Sequence, residues 1–255
     1  MGGIFATARG VLRSLRIYYG NPAQRPAMDA LYKRFLRPGD LAFDVGAHVG
    51  DRVASFRRLG ARVVAVEPQP ALVLTLRLLY AFDRDVAIEP VALGPQSGTI
   101  ELKLNPPNPT VATASSDFIA AAKGAPGWEE QRWTKTKTVN MKTMDELIAK
   151  HGIPRFVKID VEGFEDAVLA GLHHPLPILS FEFTTIQRSV ALKAIERLAR
   201  SSLYSFNAAL GETQKLVHAD PLDAKNIMRW IEQLPAEANS GDIYASMDPV
   251  PLRMA

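Results

Sequence analysis

The chain has 255 residues and 47% hydrophobic content, which suits one large α/β domain with a full core. It contains no cysteine, which excludes disulfides, thiolate metal sites and cysteine nucleophiles together. A net charge of +3 does not by itself ask for a nucleic-acid partner.

No apolar run approaches the roughly 20 residues that span a bilayer. Arg9, Arg13 and Arg16 interrupt the N-terminal apolar residues, so no secretory signal is read and a cytoplasmic location is expected. Ile4, Ala8, Val11, Leu12 and Leu15 fall on one helical face, with those three arginines opposite. Such a helix either docks its apolar stripe on the main domain or lies on an anionic membrane or acidic partner. A second helix is expected over Ala27–Leu36, stopped by Pro38-Gly39. Residues 1–38 then form an N-terminal helical extension, and 39–255 a single domain.

Leu41–Val45 is a short apolar run that ends in glycines, and a helical pattern follows to Leu59. Arg62–Val66 predicts a second strand, Ala71–Ala81 a leucine-rich helix and Val86–Val91 a third strand. This alternation argues for a parallel sheet covered on both faces. Gly98–Leu104 alternates like an exposed or hairpin strand. Residues 105–133 break the pattern with prolines, small residues and two tryptophans. Disordered segments are poor in aromatics, so this stretch reads as a substrate loop or lid, with Trp128 and Trp133 as candidate substrate contacts.

Thr134–Met141 is another strand, and Thr143-x-x-Glu146 is a capping box that opens a helix. Strand four is Phe156–Val161, followed by a helix over Phe164–Leu172 and strand five over Leu176–Phe183. Ala191–Leu198 continues as helix, Tyr204–Ala208 and Gln214–His218 as strands, Ala224–Leu234 as helix and Asp242–Ser246 as the last strand.

The turn Gly46-Ala47-His48-Val49-Gly50 joins a buried strand to a helix, where free N–H groups face a ligand beyond the strand end. Glu67 closes strand two, about twenty residues past Gly46, the distance at which a carboxylate can take a ribose. In place of the second glycine of a dinucleotide fingerprint stands His48. That disfavours NAD and fits an adenosyl cofactor without phosphates. Strand four carries Lys158 and Asp160 on one face by period two. A buried ammonium needs a partner, and Asp160 or Glu182 is the expected one. Glu165 and Asp166 suit a helix N-terminus as readily as catalysis. One acid cluster without ligand spacing does not call for a metal.

These residues resemble the FkbM family of S-adenosylmethionine-dependent methyltransferases. The carriers are Phe43–Gly50, Val64–Pro68, Val91–Gly94, Thr143–Leu147, Ser180–Glu182, Gly241–Ala245 and above all Val157-Lys158-Ile159-Asp160-Val161-Glu162-Gly163-Phe164-Glu165. The departure is His48, where such proteins usually carry Asn. The resemblance implies a Rossmann-like class I methyltransferase fold: a seven-stranded, mostly parallel sheet with the last strand antiparallel and helices on both faces. It implies O-methylation of a hydroxyl on a sugar or natural-product small molecule, with S-adenosyl-L-homocysteine as product. Asp44, Gly46, Ala47, His48 and Gly50 would hold the methionine end, Glu67 and Pro68 the ribose, and Ala92 the adenine, with Asp160 also near the cofactor.

Catalysis would rest on in-line alignment and removal of the hydroxyl proton. Asp160, Glu162 and Glu165 are candidate bases, Lys158 completes the cluster and His48 is a weaker base. Glu182 is expected on the acceptor side with the tryptophans. A second reading is a non-catalytic binding or regulatory protein that keeps the cofactor fold. A third is an NAD-dependent dehydrogenase, weakened by the glycine pattern.

Overall fold

The computed structural model describes residues 2–20 and 22–254, and the side chains of all of these except residues 2–4 and 22. In chain order the elements are α1 (Gly2–Gly20), α2 (Arg25–Tyr32), β1 (Leu41–Val45), α3 (Asp51–Arg58), β2 (Arg62–Val66), α4 (Pro70–Leu79), β3 (Val86–Glu89), β4 (Ala92–Leu93), β5 (Gly98–Leu104), α5 (Ser116–Ala122), β6 (Lys135–Lys142), α6 (Met144–His151), β7 (Phe156–Ile159), α7 (Glu165–Ala170), β8 (Ile178–Thr184), α8 (Arg188–Ser201), β9 (Ser205–Leu210), α9 (Ala224–Gln233) and β10 (Ser240–Ser246).

The main sheet has the order β3-β2-β1-β7-β8-β10-β9. Its first five members run parallel, and β10 runs antiparallel between β8 and β9. The expected seven-stranded sheet with an antiparallel last strand is therefore present. Order reverses at β1, because the chain leaves it first toward β2 and returns on its other side as β7. A ligand crevice forms at such a switch point, beyond the carboxyl ends of the strands.

Helices cover both faces. On one, α6, α7, α8 and α9 pack over Phe43, Val157, Leu179 and Ile243. On the other, α2 and α3 pack Leu31, Tyr32, Val53 and Phe56 over Ala42, Phe156 and Tyr244. Tyr32, Phe35, Phe56, Phe156 and Tyr244 form an aromatic chain there, with neighbouring ring centroids 4.8–5.7 Å apart. Each such pair adds about 0.5–1.5 kcal/mol beyond area burial.

A second sheet, β4-β6-β5, holds the hairpin strand and the Thr134–Met141 segment. The capping box is present: Thr143 Oγ1 accepts from Glu146 N–H while Glu146 reaches back to Thr143 N–H.

Three expectations need correction. Gln214–His218 is not a strand. Gln214 takes a left-handed φ of 54°, and only isolated contacts such as Val217 N–H to Ala208 O tie the segment to β9. Residues 105–133, read as a loop or lid, contain a 3₁₀ turn at Pro109–Val111 and α5, capped by Ser115 Oγ accepting from Phe118 N–H. The third strand ends at Glu89, because Pro90 interrupts it and Ala92–Leu93 pairs instead with the second sheet.

The stripe assigned to α1 is also turned. Gly10 and Ser14 are buried, while Leu12 and Ala8 are exposed beside the arginines. Close approach decides this, since a Cβ on Gly10 would lie 2.4 Å from the Pro106 carbonyl oxygen. Ile4 lies outside the described side chains.

Candidate active site

Sheet periodicity builds the site. On β7 the same face carries Phe156, then Lys158, then Asp160 just past the strand end. On β8 that face carries Ile178, Ser180 and Glu182, and on β10 Tyr244 and Asp242, with Asp242 opposite Glu182. The rows thus begin in the aromatic core and end in acids. Lys158 is 1% exposed, and its Nζ stands 2.7 Å from Asp242 Oδ1 and 3.3 Å from Asp160 Oδ2. Burial works against its charge, but Asp160 and Asp242 outweigh it and raise its pKa well above the usual lysine range. Of the two expected partners, Asp160 forms the ion pair. Glu182 acts on Lys158 only through its field.

The turn after β1 has Gly46 at φ 85°, His48 at 51° and Gly50 at 81°. Gly46 cannot carry a side chain, since a Cβ would lie 1.8 Å from the Asp160 carbonyl oxygen. Gly46 and Ala47 N–H donate to Val66 O, and His48 N–H donates to Glu67 Oε2 at 2.9 Å. Gln69 N–H donates to Glu67 Oε1 at 2.8 Å. Burial pushes the Glu67 carboxyl up to about 7, against these two donors. Burial likewise pushes Asp44 up to about 7, with Asp51 adding to it, and pushes the His48 ring down to about 4 so that it is neutral.

Two cavities open beyond the strand ends. The first, about 550 Å³, has Glu67, Pro68 and Gln69 on one wall and Val91, Ala92, Leu93, Ala112, Ala114 and Phe164 on others. The second, about 530 Å³, is lined by six carboxyl residues (Asp44, Asp51, Asp160, Glu162, Glu182 and Glu212) with Tyr18, Ala47, Arg52 and Lys158. Gly46, His48, Thr110 and Asp160 line both, so the cavities adjoin there.

In the second cavity one oxygen each of Asp160, Glu162 and Glu182 lies within 4.8 Å of the others. Although burial opposes it, Lys158 and Arg52 hold Asp160 below the usual carboxylate range. Glu162 and Glu182 are raised well above that range, by burial first and then by Asp160. The cluster therefore holds protons as well as charge. Both cations are already engaged. Lys158 has its two acids, and Arg52 binds Asp51 and, bidentately at 2.8 Å, Glu212.

Several expected site residues stand elsewhere. Glu165 lines neither cavity. Its Oε1 accepts from Val161 N–H at 3.0 Å and Gly163 N–H at 3.3 Å, so it braces the turn after β7. Gly50 meets Leu76 and Tyr80 of α4, where a Cβ would lie 2.8 Å from Leu76 Cδ2, so it serves helix packing. Trp128 and Trp133 stack edge-on against Phe118, and Trp133 Nε1–H donates to Val111 O at 2.7 Å. They brace residues 105–133, which reach the cavities instead through Thr110, Ala112 and Ala114.

Tyr18, Asp51, Arg52, Thr110, Glu212 and Asp242 were not singled out by sequence reasoning. Asp242 had a usable signal, a charge inside the apolar strand Ile243-Tyr244-Ala245. Tyr18 and Glu212 had none, because α1 and the turn after β9 reach the site only through the tertiary fold.

The sequence model of the Methyltransferase FkbM domain matches residues 44–206. Comparison with curated proteins returns no match. Among solved structures, the chain is similar to an O-methyltransferase from Bacillus cereus in complex with SAH, at 11% identity over 94% of this chain and 90% of that one, with a TM-score of 0.47. It is also similar to a precorrin-6y C5,15-methyltransferase from Geobacter metallireducens GS-15, at 13% identity over 88% and 87%, with a TM-score of 0.46. The matched span exceeds half of the chain and contains the glycine turn, Glu67 and the β7 motif, so the protein belongs to the FkbM family of methyltransferases, with S-adenosylmethionine as methyl donor.

Proposed function

We propose that the protein is an O-methyltransferase whose acceptor is a neutral hydroxyl compound, a sugar or a natural-product small molecule. The observation that carries this reading is the pair of adjoining cavities, one largely apolar with Glu67 on its wall, the other polar and acid-rich, meeting at Asp160. The first suits an adenosine, with Glu67 accepting from the ribose hydroxyls and Ala92 beside the base. For the methionine end the residues also fit. Asp44 Oδ2 is buried and has no hydrogen-bond partner in the protein, as an acceptor awaiting an ammonium would be. Gly46, Ala47 and His48 belong to the same end.

When bound, the cofactor supplies an electrophilic sulfonium methyl. The chain's own residues then have two tasks, alignment and proton removal. Asp160 is held ionised by Lys158 and lines both cavities, so its carboxylate is the proposed acceptor of the hydroxyl proton. Glu182 and Glu162 are the neighbours that share that proton. Arg52 and Lys158 are both paired with acids, so their charge is already balanced and leaves no net positive charge for a phosphate or carboxylate on the acceptor. This supports a neutral, polyhydroxylated substrate.

The test separates the two tasks. Glu67→Ala is expected to weaken S-adenosylhomocysteine binding by titration calorimetry. Asp160→Asn is expected to leave that affinity within a few fold and to lower turnover by about 10²–10⁴ on an accepted substrate. Neutral sugars and glycosides, assayed with methyl-labelled donor, should take label at oxygen and their phosphorylated counterparts should not. Label found only at nitrogen or carbon would reject the reading.

A further inference from the structure

The outer faces of α1 and α4 carry an unusual concentration of exposed apolar side chains. Phe5 is 67% exposed, Leu12 65%, Leu78 71% and Phe82, in the turn just beyond α4, 99%, and Ile17, Leu74 and Leu79 are also exposed. The two helices lie side by side. They run in the same direction: Gly10 meets Pro109, whose carbonyl oxygen accepts from Gln69 at the start of α4, while Tyr19 and Tyr80 meet the turn at Val49 and Gly50 at the far end.

The charge on this face has one sign. Arg9, Arg13 and Arg16 share the exposed face of α1 with Phe5 and Leu12, and Arg77 lies beside Leu78 on α4. None of these four forms an ion pair among the described residues. Neither helix contains an acid. The acids just beyond α4, Asp83 and Asp85, are paired with Arg57. Large apolar side chains interleaved with unpaired arginines match an anionic interface, where the apolar groups enter the acyl boundary and the guanidinium groups stay among the phosphates. No helix among the described residues is long and apolar enough to cross a membrane, so the contact would be peripheral. A nucleic-acid surface would use the arginines but would gain nothing from exposed leucines and phenylalanines.

We propose that the α1–α4 face docks on an anionic phospholipid bilayer. The inner side of α1 faces the second cavity through Tyr18, whose ring meets His48 edge-on with centroids 5.3 Å apart. Docking would therefore hold the acceptor cavity one helix diameter, ~10 Å, from the lipid surface, whatever the acceptor is.

The test is sedimentation of the full chain with vesicles of phosphatidylcholine alone or mixed equally with phosphatidylglycerol. The protein should pellet with the mixed vesicles and stay in the supernatant with phosphatidylcholine. The triple variant Arg9→Glu, Arg13→Glu, Arg16→Glu and the double variant Leu78→Ser, Phe82→Ser should each weaken binding by at least about tenfold. Both should still bind S-adenosylhomocysteine, because all five side chains are exposed. If the triple variant loses that binding, the double variant decides.

The proposal fails if the wild-type chain ignores anionic vesicles, binds both vesicle types equally, or is unaffected by the substitutions. It also fails if a duplex oligonucleotide binds the wild type and the double variant equally and displaces the vesicles. Failure is equally indicated if the apolar face instead holds a dimer that the double variant dissociates and that never pellets with lipid.

Discussion

Lys158 lies within a buried strand with Asp242 and Asp160 on its ammonium, so removing it strands the buried Asp242 and unbalances the partly exposed Asp160. Lys158→Ala is expected to cost about 3–5 kcal/mol of folding stability, measured by urea unfolding, well beyond a simple loss of packing. The other buried acids make stability depend on pH. Asp44, Glu67 and Glu165 are pushed up to about 7 by burial, so each holds its proton more tightly in the folded chain than in the unfolded one. Their contribution is complete at low pH and is lost as pH rises through about 7. His48, pushed down to about 4, and His218, also lowered by burial, work in the opposite direction, but the raised acids, with Glu162 and Glu182 among them, outnumber them. The Tm of the ligand-free protein should therefore fall between about pH 5 and about pH 7.5. If cofactor binding brings an ammonium to Asp44, as proposed, it should release protons near pH 6.5, read by calorimetry in buffers of different ionisation enthalpy. A rising Tm across that window would refute the assignment.

Among the elements, α1 reaches the site through Tyr18, and its buried face was not legible in the sequence. Its Gly10 packs on Pro106 and Pro109, beside the Thr110 that lines both cavities. Gly10→Leu should push the helix off that segment, at about 1–3 kcal/mol. It should raise the KM for the acceptor more than it weakens S-adenosylhomocysteine binding, and equal effects on both would argue against α1 as a cavity wall.

The strands and helices of the main sheet were readable because their periods and stop signals are local, as with Gly46 after β1 or Thr143 before α6. Lys158 with Asp160 was readable because a charge in a buried strand requires a partner. The packing of the tryptophans on Phe118 was not readable, because it depends on how residues 105–133 fold back. Tyr18, Glu212 and the left-handed backbone of His48 and Glu162 left no local trace, since distant packing imposes them.

Across the whole molecule, one sheet order places every part of the site at one edge. β1, β2 and β7 supply the glycine turn, Glu67 and Asp160, and β8 and β10 supply Glu182 and Asp242. The insertion of β10 between β8 and β9 has a consequence in time. During synthesis, at about 5–20 residues per second, Lys158 emerges well before Asp242, its nearest acid. The earlier strands of the main sheet can pair as they appear, but β9 has no place in it until β10 arrives to bridge it to β8. A nascent chain therefore carries a lysine deprived of its closest counter-charge until the last strand docks. A chain stopped short of Ser240 should bind no cofactor and should be open to proteolysis at β9. Assembly of the charge cluster thus reports that translation has run through β10.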